Sequence, residues 1–106
     1  MKVKLTQTQL EGLHILLNVA LKTNPPIDMA SKLLFEIVDG INDKIAAKMK
    51  KLQRNPAAGY GLSLTSIESK GLYCWLGKID ARIAEDYQYE TLVANNVVAQ
   101  IDQVYA

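Results

Sequence analysis

Apolar side chains return every three or four positions along most of this chain, the spacing that lays one face of an α-helix against a shared interior. Leu10, Leu13, Leu17, Ala20 and Leu21 make the first such stripe. Thr6 stands where an N-cap belongs, Gln9 follows three residues on as its reciprocal partner, and Leu5 and Leu10 occupy the staple positions. Ile15, Leu16 and Val19 fall off the stripe, so this helix is apolar around most of its circumference and is expected to be central. It stops before Asn24-Pro25-Pro26, because the residue preceding a proline avoids the α region.

The second helix is predicted to start at those prolines, whose fixed φ suits a first turn. Its stripe is Ile27, Ala30, Leu34, Ile37, Val38, Ile41, Ile45, Met49 and Leu52, opposite Lys32, Glu36, Asp39, Asp43 and Lys50. Gly40 on the polar side costs about 1 kcal/mol against alanine without ending the helix. Carried to Arg54, the run would be roughly 28 residues and about 42 Å long. Asn55-Pro56-Ala57-Ala58-Gly59-Tyr60-Gly61 reads as a flexible connection. Each half of the chain is too short for a comfortable domain, so this loop is internal.

Thr65 and Glu68 form a second capping box before a third stripe of Leu72, Trp75, Leu76, Ile79 and Ile83. A fourth is read from Tyr89, Leu92, Val93, Val97, Ile101 and Val104. The break between them, near 85–88, is inferred from length, since mean helices run to about 11–12 residues. A single rod of roughly 40 residues is the alternative. The expected fold is therefore one all-α domain over 1–106, a bundle of about four helices, antiparallel and up-down where loops are short.

One repeat stands out. Leu5-Thr6, Gln9, Gly12, Leu13 and Leu17 match Leu64-Thr65, Glu68, Gly71, Leu72 and Leu76 at a constant offset. A duplicated helical hairpin would leave this mark. Two capped amphipathic helices converging on one start chemistry would leave it as well.

Composition narrows the function classes. At 49% apolar and 22% charged residues, the chain is too apolar to be disordered. Twelve basic and eleven acidic side chains leave +1, giving no reason to expect a membrane surface or a wholly basic face. Polar residues interrupt the apolar run at 13–21 that faintly resembles a signal peptide, and no stretch approaches a membrane span. With Cys74 as its only cysteine, the protein reads as cytoplasmic.

Candidate chemistry is thin. His14 sits on the buried stripe as a satisfied core or edge residue, and Cys74 reads as a small packing residue. Glu36, Asp39 and Asp43 share one helix face, but they lack the Glu-x-x-His partner of a carboxylate metal site. Gly59-Tyr60-Gly61 lacks the lysine of a phosphate loop. No catalytic group, metal, cofactor or small-molecule substrate is indicated.

Two surfaces remain. Ile45, Met49 and Leu52 carry the apolar stripe beyond the reach of the first helix and need cover. The loop with Tyr60 and Leu62 could fold back over them, or helix three could reach them. Failing both, a second copy would supply the cover, making Ile45, Met49, Leu52 and Tyr60 the candidate dimer contact. Lys44, Lys48, Lys50, Lys51 and Arg54 are the candidate nucleic-acid contact, although bases at a helix C-terminus also suit the dipole. The expected function is a non-enzymatic interaction or scaffold protein acting as a homo-oligomer. The alternative is a nucleic-acid-associated protein using the basic end of helix two.

Overall fold

A computed structural model describes residues 1–51 and 59–105. The chain runs through β1 (Lys2–Thr6), α1 (Gln7–Thr23), α2 (Met29–Lys51), β2 (Gly59–Ser63), α3 (Ser66–Leu76), α4 (Ala81–Asp86) and α5 (Gln88–Tyr105). The protein is mainly helical, as its periodicity implies. It differs from a plain four-helix arrangement in having five helices and a two-stranded ribbon among the described residues.

The ribbon forms because Lys2-Val3-Lys4-Leu5 alternates with the period of a strand. Val3 and Leu5 are buried while Lys2 and Lys4 face water. β2 pairs with β1 antiparallel, setting Lys2 against Ser63, Val3 against Leu62, Lys4 against Gly61 and Leu5 against Tyr60. Gly59-Tyr60-Gly61 is thus strand, not the flexible turn its glycines suggest. Met1 and Leu64 exchange both backbone hydrogen bonds, at 2.8 and 2.9 Å. Alternation along an antiparallel ladder then turns the polar groups of Lys4, Gly61 and Ser63 toward the ribbon's outer edges.

Helices close both edges. The Gln100 amide of α5 accepts from Lys4 N–H at 2.8 Å and donates to the Lys4 carbonyl at 2.9 Å. On the other side, Lys44 Nζ of α2 donates to the Ser63 carbonyl at 3.3 Å and Lys48 Nζ to the Gly61 carbonyl at 2.7 Å. Strand edges with unpaired amides invite aggregation, and here side chains occupy them.

Both capping boxes form as their spacing predicts. Thr6 and Thr65 accept from the backbone of Gln9 and Glu68, whose side chains accept in return from the cap N–H. α1 packs on α2 and α5, and α3 packs on the same two helices. A Cβ on Gly12 would lie 3.1 Å from Tyr89 of α5, and one on Gly71 would lie 2.8 Å from Ile37 of α2. Each matched glycine thus faces a side chain of a neighbouring helix at short range. The core centres on Leu13, Leu16 and Leu17 of α1, Val38, Ile41 and Ile45 of α2, Leu72 of α3 and Val97 of α5, roofed by Val3 and Leu62.

Three boundaries differ from expectation. α2 starts at Met29 rather than at the prolines, because Asp28 caps it: its carboxylate accepts from Ser31 N–H at 2.7 Å and its carbonyl from Lys32 N–H at 3.0 Å. Ile27 therefore lies outside the helix, and Ala30 is exposed. Leu76 ends α3, and Asp80 restarts the chain as the cap of α4, so the expected third helix is two. The break inferred near 85–88 falls at Tyr87. On α5 the buried line is Val93, Ala94, Val97 and Ile101, which turns Leu92 and Val104 outward.

Candidate functional site

The C-terminal end of helix two was expected to need cover, from the loop with Tyr60 and Leu62, from helix three or from a second copy. Ile45 is 0% exposed within the core, and Met49 packs half-buried against it. Lys44 and Lys48 tie β2 alongside this end, Leu62 is buried in the same core cluster, and Tyr60 sits half-buried opposite Leu5 on the ribbon's inward side. Ile45 is thus taken up by the core, whereas Met49 and Tyr60 keep part of their surface exposed; Leu52 lies outside the described residues.

The two most exposed large apolar side chains among the described residues stand at the head of α2. Ile27 is 90% exposed, Met29 80% and Leu33 58%. Ile27 borders a cleft of about 610 Å³ between the end of α1, the 24–28 connection, the first turns of α2 and the 75–80 segment, whereas Met29 and Leu33 lie outside its lining. Phe35 and Trp75, the protein's only phenylalanine and tryptophan, line it with Ala20, Leu34, Ile79 and the two prolines. Asp28, Lys78 and Asp80 supply polar groups of both signs. Hydrogen bonds from the Ser31 N–H and then its hydroxyl hold the Asp28 carboxyl below its ordinary range, with Lys78 adding in the same direction.

The local sequence explains the cleft. Asn24 N–H closes the last turn of α1 on the Ala20 carbonyl at 3.1 Å. Two consecutive prolines then keep the chain extended until Asp28 can start the next helix. The chain crosses the end of the bundle without filling it.

A polar ring joins α1 to α2. His14 Nδ1 lies 2.7 Å from Asn42 Oδ1, Asn42 Nδ2 donates to Asn18 Oδ1 at 2.8 Å, and Asn18 Nδ2 lies 3.2 Å from His14 Nε2. In this ring the imidazole shares one hydrogen bond through each nitrogen. Both of its nitrogens are engaged. His14 holds two helices together and has no lone pair left for a substrate.

The remaining candidates disperse. Glu36, Asp39 and Asp43 are exposed, and no three His, Cys, Asp or Glu side chains among the described residues could hold a metal. Cys74 is exposed rather than packed, lining a smaller cleft of about 420 Å³ with Tyr73, Ile101, Asp102 and Tyr105. There Lys70 Nζ lies 5.3 Å from the Tyr105 ring centre. Of the basic run, Lys44 pairs with Glu68 at 2.7 Å, and Lys48 is spent on the Gly61 carbonyl. Lys50 and Lys51 are exposed, and Arg54 lies outside the described residues. No helix among the described residues is long and apolar enough to cross a membrane.

No family model, curated protein or solved structure matches this chain. The reading of its function therefore rests on its own surfaces. The cleft could not be read beforehand, since an apolar residue in register with a stripe looks like core. Its one advance signal was Asp28, a better helix start than the prolines before it.

Proposed function

We propose that this is a non-enzymatic interaction protein that pairs with a second copy of itself through the head of α2. One observation carries the reading: Ile27 stands 90% exposed on the border of a cleft lined by Phe35 and Trp75, with Met29 80% exposed at the start of the same helix. A protruding apolar side chain next to a hollow of matching chemistry is self-complementary, which is what a two-fold interface requires. Aromatic residues at the centre and a rim of mixed charge also fit the anatomy of protein interfaces. Asp28 and Asp80 of one copy could meet Lys78 of the other.

The same reading extends to architecture. We take the chain as one domain built of two related units, β1 with α1 and α2, and β2 with α3 to α5. The matched capping boxes, the matched close-approach glycines and the similar closure of both ribbon edges support it. The single thiol supports a cytoplasmic setting.

Because Trp75 is the only tryptophan, its emission reports on this cleft alone. Light scattering together with tryptophan emission across a wide dilution series is the test. The expected result is a dimer at high concentration, an emission change on dilution, and a monomer for Ile27→Glu combined with Met29→Glu. A monomer at every concentration overturns the reading, and so does a dimer indifferent to both substitutions.

A further inference from the structure

The protein carries almost no net charge, yet its lysines are unevenly placed. Lys2 and Lys4 project from the solvent face of β1. The Lys2 stem lies across Gly61, with its Cδ 3.4 Å from where a Cβ would stand. Lys44 and Lys48 reach residues 63 and 61 of β2 from the adjoining helix. Lys51 continues the same face of α2, since positions 44, 48 and 51 fall one helical turn apart. Chain segments far apart in sequence thus bring their ammonium groups to one ribbon. Among the described residues, the acid bonded within this group is Glu68, and it pairs with Lys44.

We propose that the outer face of the ribbon, with Lys2, Lys4, Lys48 and Lys51, binds the phosphate backbone of a nucleic-acid duplex. Lys48 spends one hydrogen bond on Gly61 but keeps its charge. The outward positions of the ribbon are Lys2, Lys4, Thr6, Gly59, Gly61 and Ser63, none of them aromatic. Tyr60 faces inward. A single strand is usually gripped by stacking its bases on aromatic rings, which this face does not offer. Anchoring to a membrane usually needs apolar side chains beside the lysines, and the outward positions supply none. A two-stranded ribbon with flexible cations suits a duplex, and the contacts are to phosphate rather than to base edges. This surface is separate from the cleft at the head of α2, so the two proposals stand or fall apart.

The experiment is fluorescence anisotropy with a labelled random-sequence DNA duplex, titrated with the whole protein at several salt concentrations. Four lysines predict that log affinity falls with log salt at a slope of about −3 to −4. Lys2→Glu with Lys4→Glu should weaken binding at least tenfold and flatten that slope, with the helical dichroism unchanged. Lys48→Gln with Lys51→Gln should weaken it less, and Lys22→Glu with Lys32→Glu not at all. Absence of binding at low salt overturns the proposal, as does indifference to the Lys2 and Lys4 reversal. It is equally overturned if polyglutamate, anionic vesicles or the matching single strand bind as tightly as the duplex.

Discussion

Val3 lies directly opposite Leu62 in the ribbon, and the offset that superimposes the first capping box on the second carries Val3 onto Leu62. The ladder is therefore symmetric about this pair. Exchanging the two halves of the chain turns the pairing of Lys2 with Ser63 into that of Lys4 with Gly61, and both occur. Both central side chains are buried. Leu62→Ala is expected to cost about 2–4 kcal/mol, and Val3→Ala somewhat less. The double variant should lose less than the sum by about 0.5 kcal/mol or more, because the two share one contact. Urea denaturation of the four proteins measures this.

The two matched glycines separate in their tolerance. At Gly71 a methyl group would sit 2.8 Å from the branched Cγ2 of Ile37, which is fixed close to its backbone. Gly71→Ala should lose about 1–3 kcal/mol despite its better helix propensity. At Gly12 the obstacle is the ring of Tyr89 at 3.1 Å, a half-exposed side chain that can swing aside. Gly12→Ala should be close to neutral. Gly40 has nothing within 4 Å, so Gly40→Ala should gain about 0.5–1 kcal/mol. Thermal melts of the three variants should rank in that order.

His14→Phe keeps a planar ring, slightly larger, and removes both of its hydrogen bonds. Asn42 is nearly buried, so its amide oxygen would then lack a partner. A loss of about 1–3 kcal/mol is expected. Asn18→Ala should cost less, because that end of the ring is half-exposed and water can replace the lost amide. Chemical denaturation distinguishes the two.

Glu68 sets a dependence on acid. Partial burial pushes its carboxyl up, but the Lys44 ammonium and the capping bonds to Thr65 outweigh this and hold it below its ordinary range. A carboxyl lowered by folding stabilises above its unfolded value, and that share is lost as pH falls through the folded value. Stability should therefore decline from about pH 5 downward, with this residue contributing no more than about 1 kcal/mol after solvent screening. Glu68→Gln should flatten that part of the curve, measured by melting temperature between pH 7 and pH 3.

Much of the helical framework was legible in sequence because its signals are local. Thr6 with Gln9, and Thr65 with Glu68, fix helix starts within four residues, and the stripes on α1 and α2 follow from periodicity. The ribbon was not legible. Val3 and Leu5 alternate correctly, but five residues are a weak signal, and their partner Gly59-Tyr60-Gly61 has the composition of a turn. Nothing local says that residue 3 will meet residue 62. The cleft escaped for a different reason: a period cannot tell whether a neighbour exists to cover Ile27. Leu92 and Val104 show the same limit, since the buried line of α5 is set by which helices it meets.

The ribbon also orders events in time. Loop closure grows costlier with the length of chain between its ends, and contacts between distant residues slow folding. A chain emerging from the ribosome can wind α1 and α2 as soon as they are exposed, but β1 has no template until Gly59–Ser63 appears. Until then the apolar side of α1 lacks its roof, and the half-made protein depends on its surroundings to stay single.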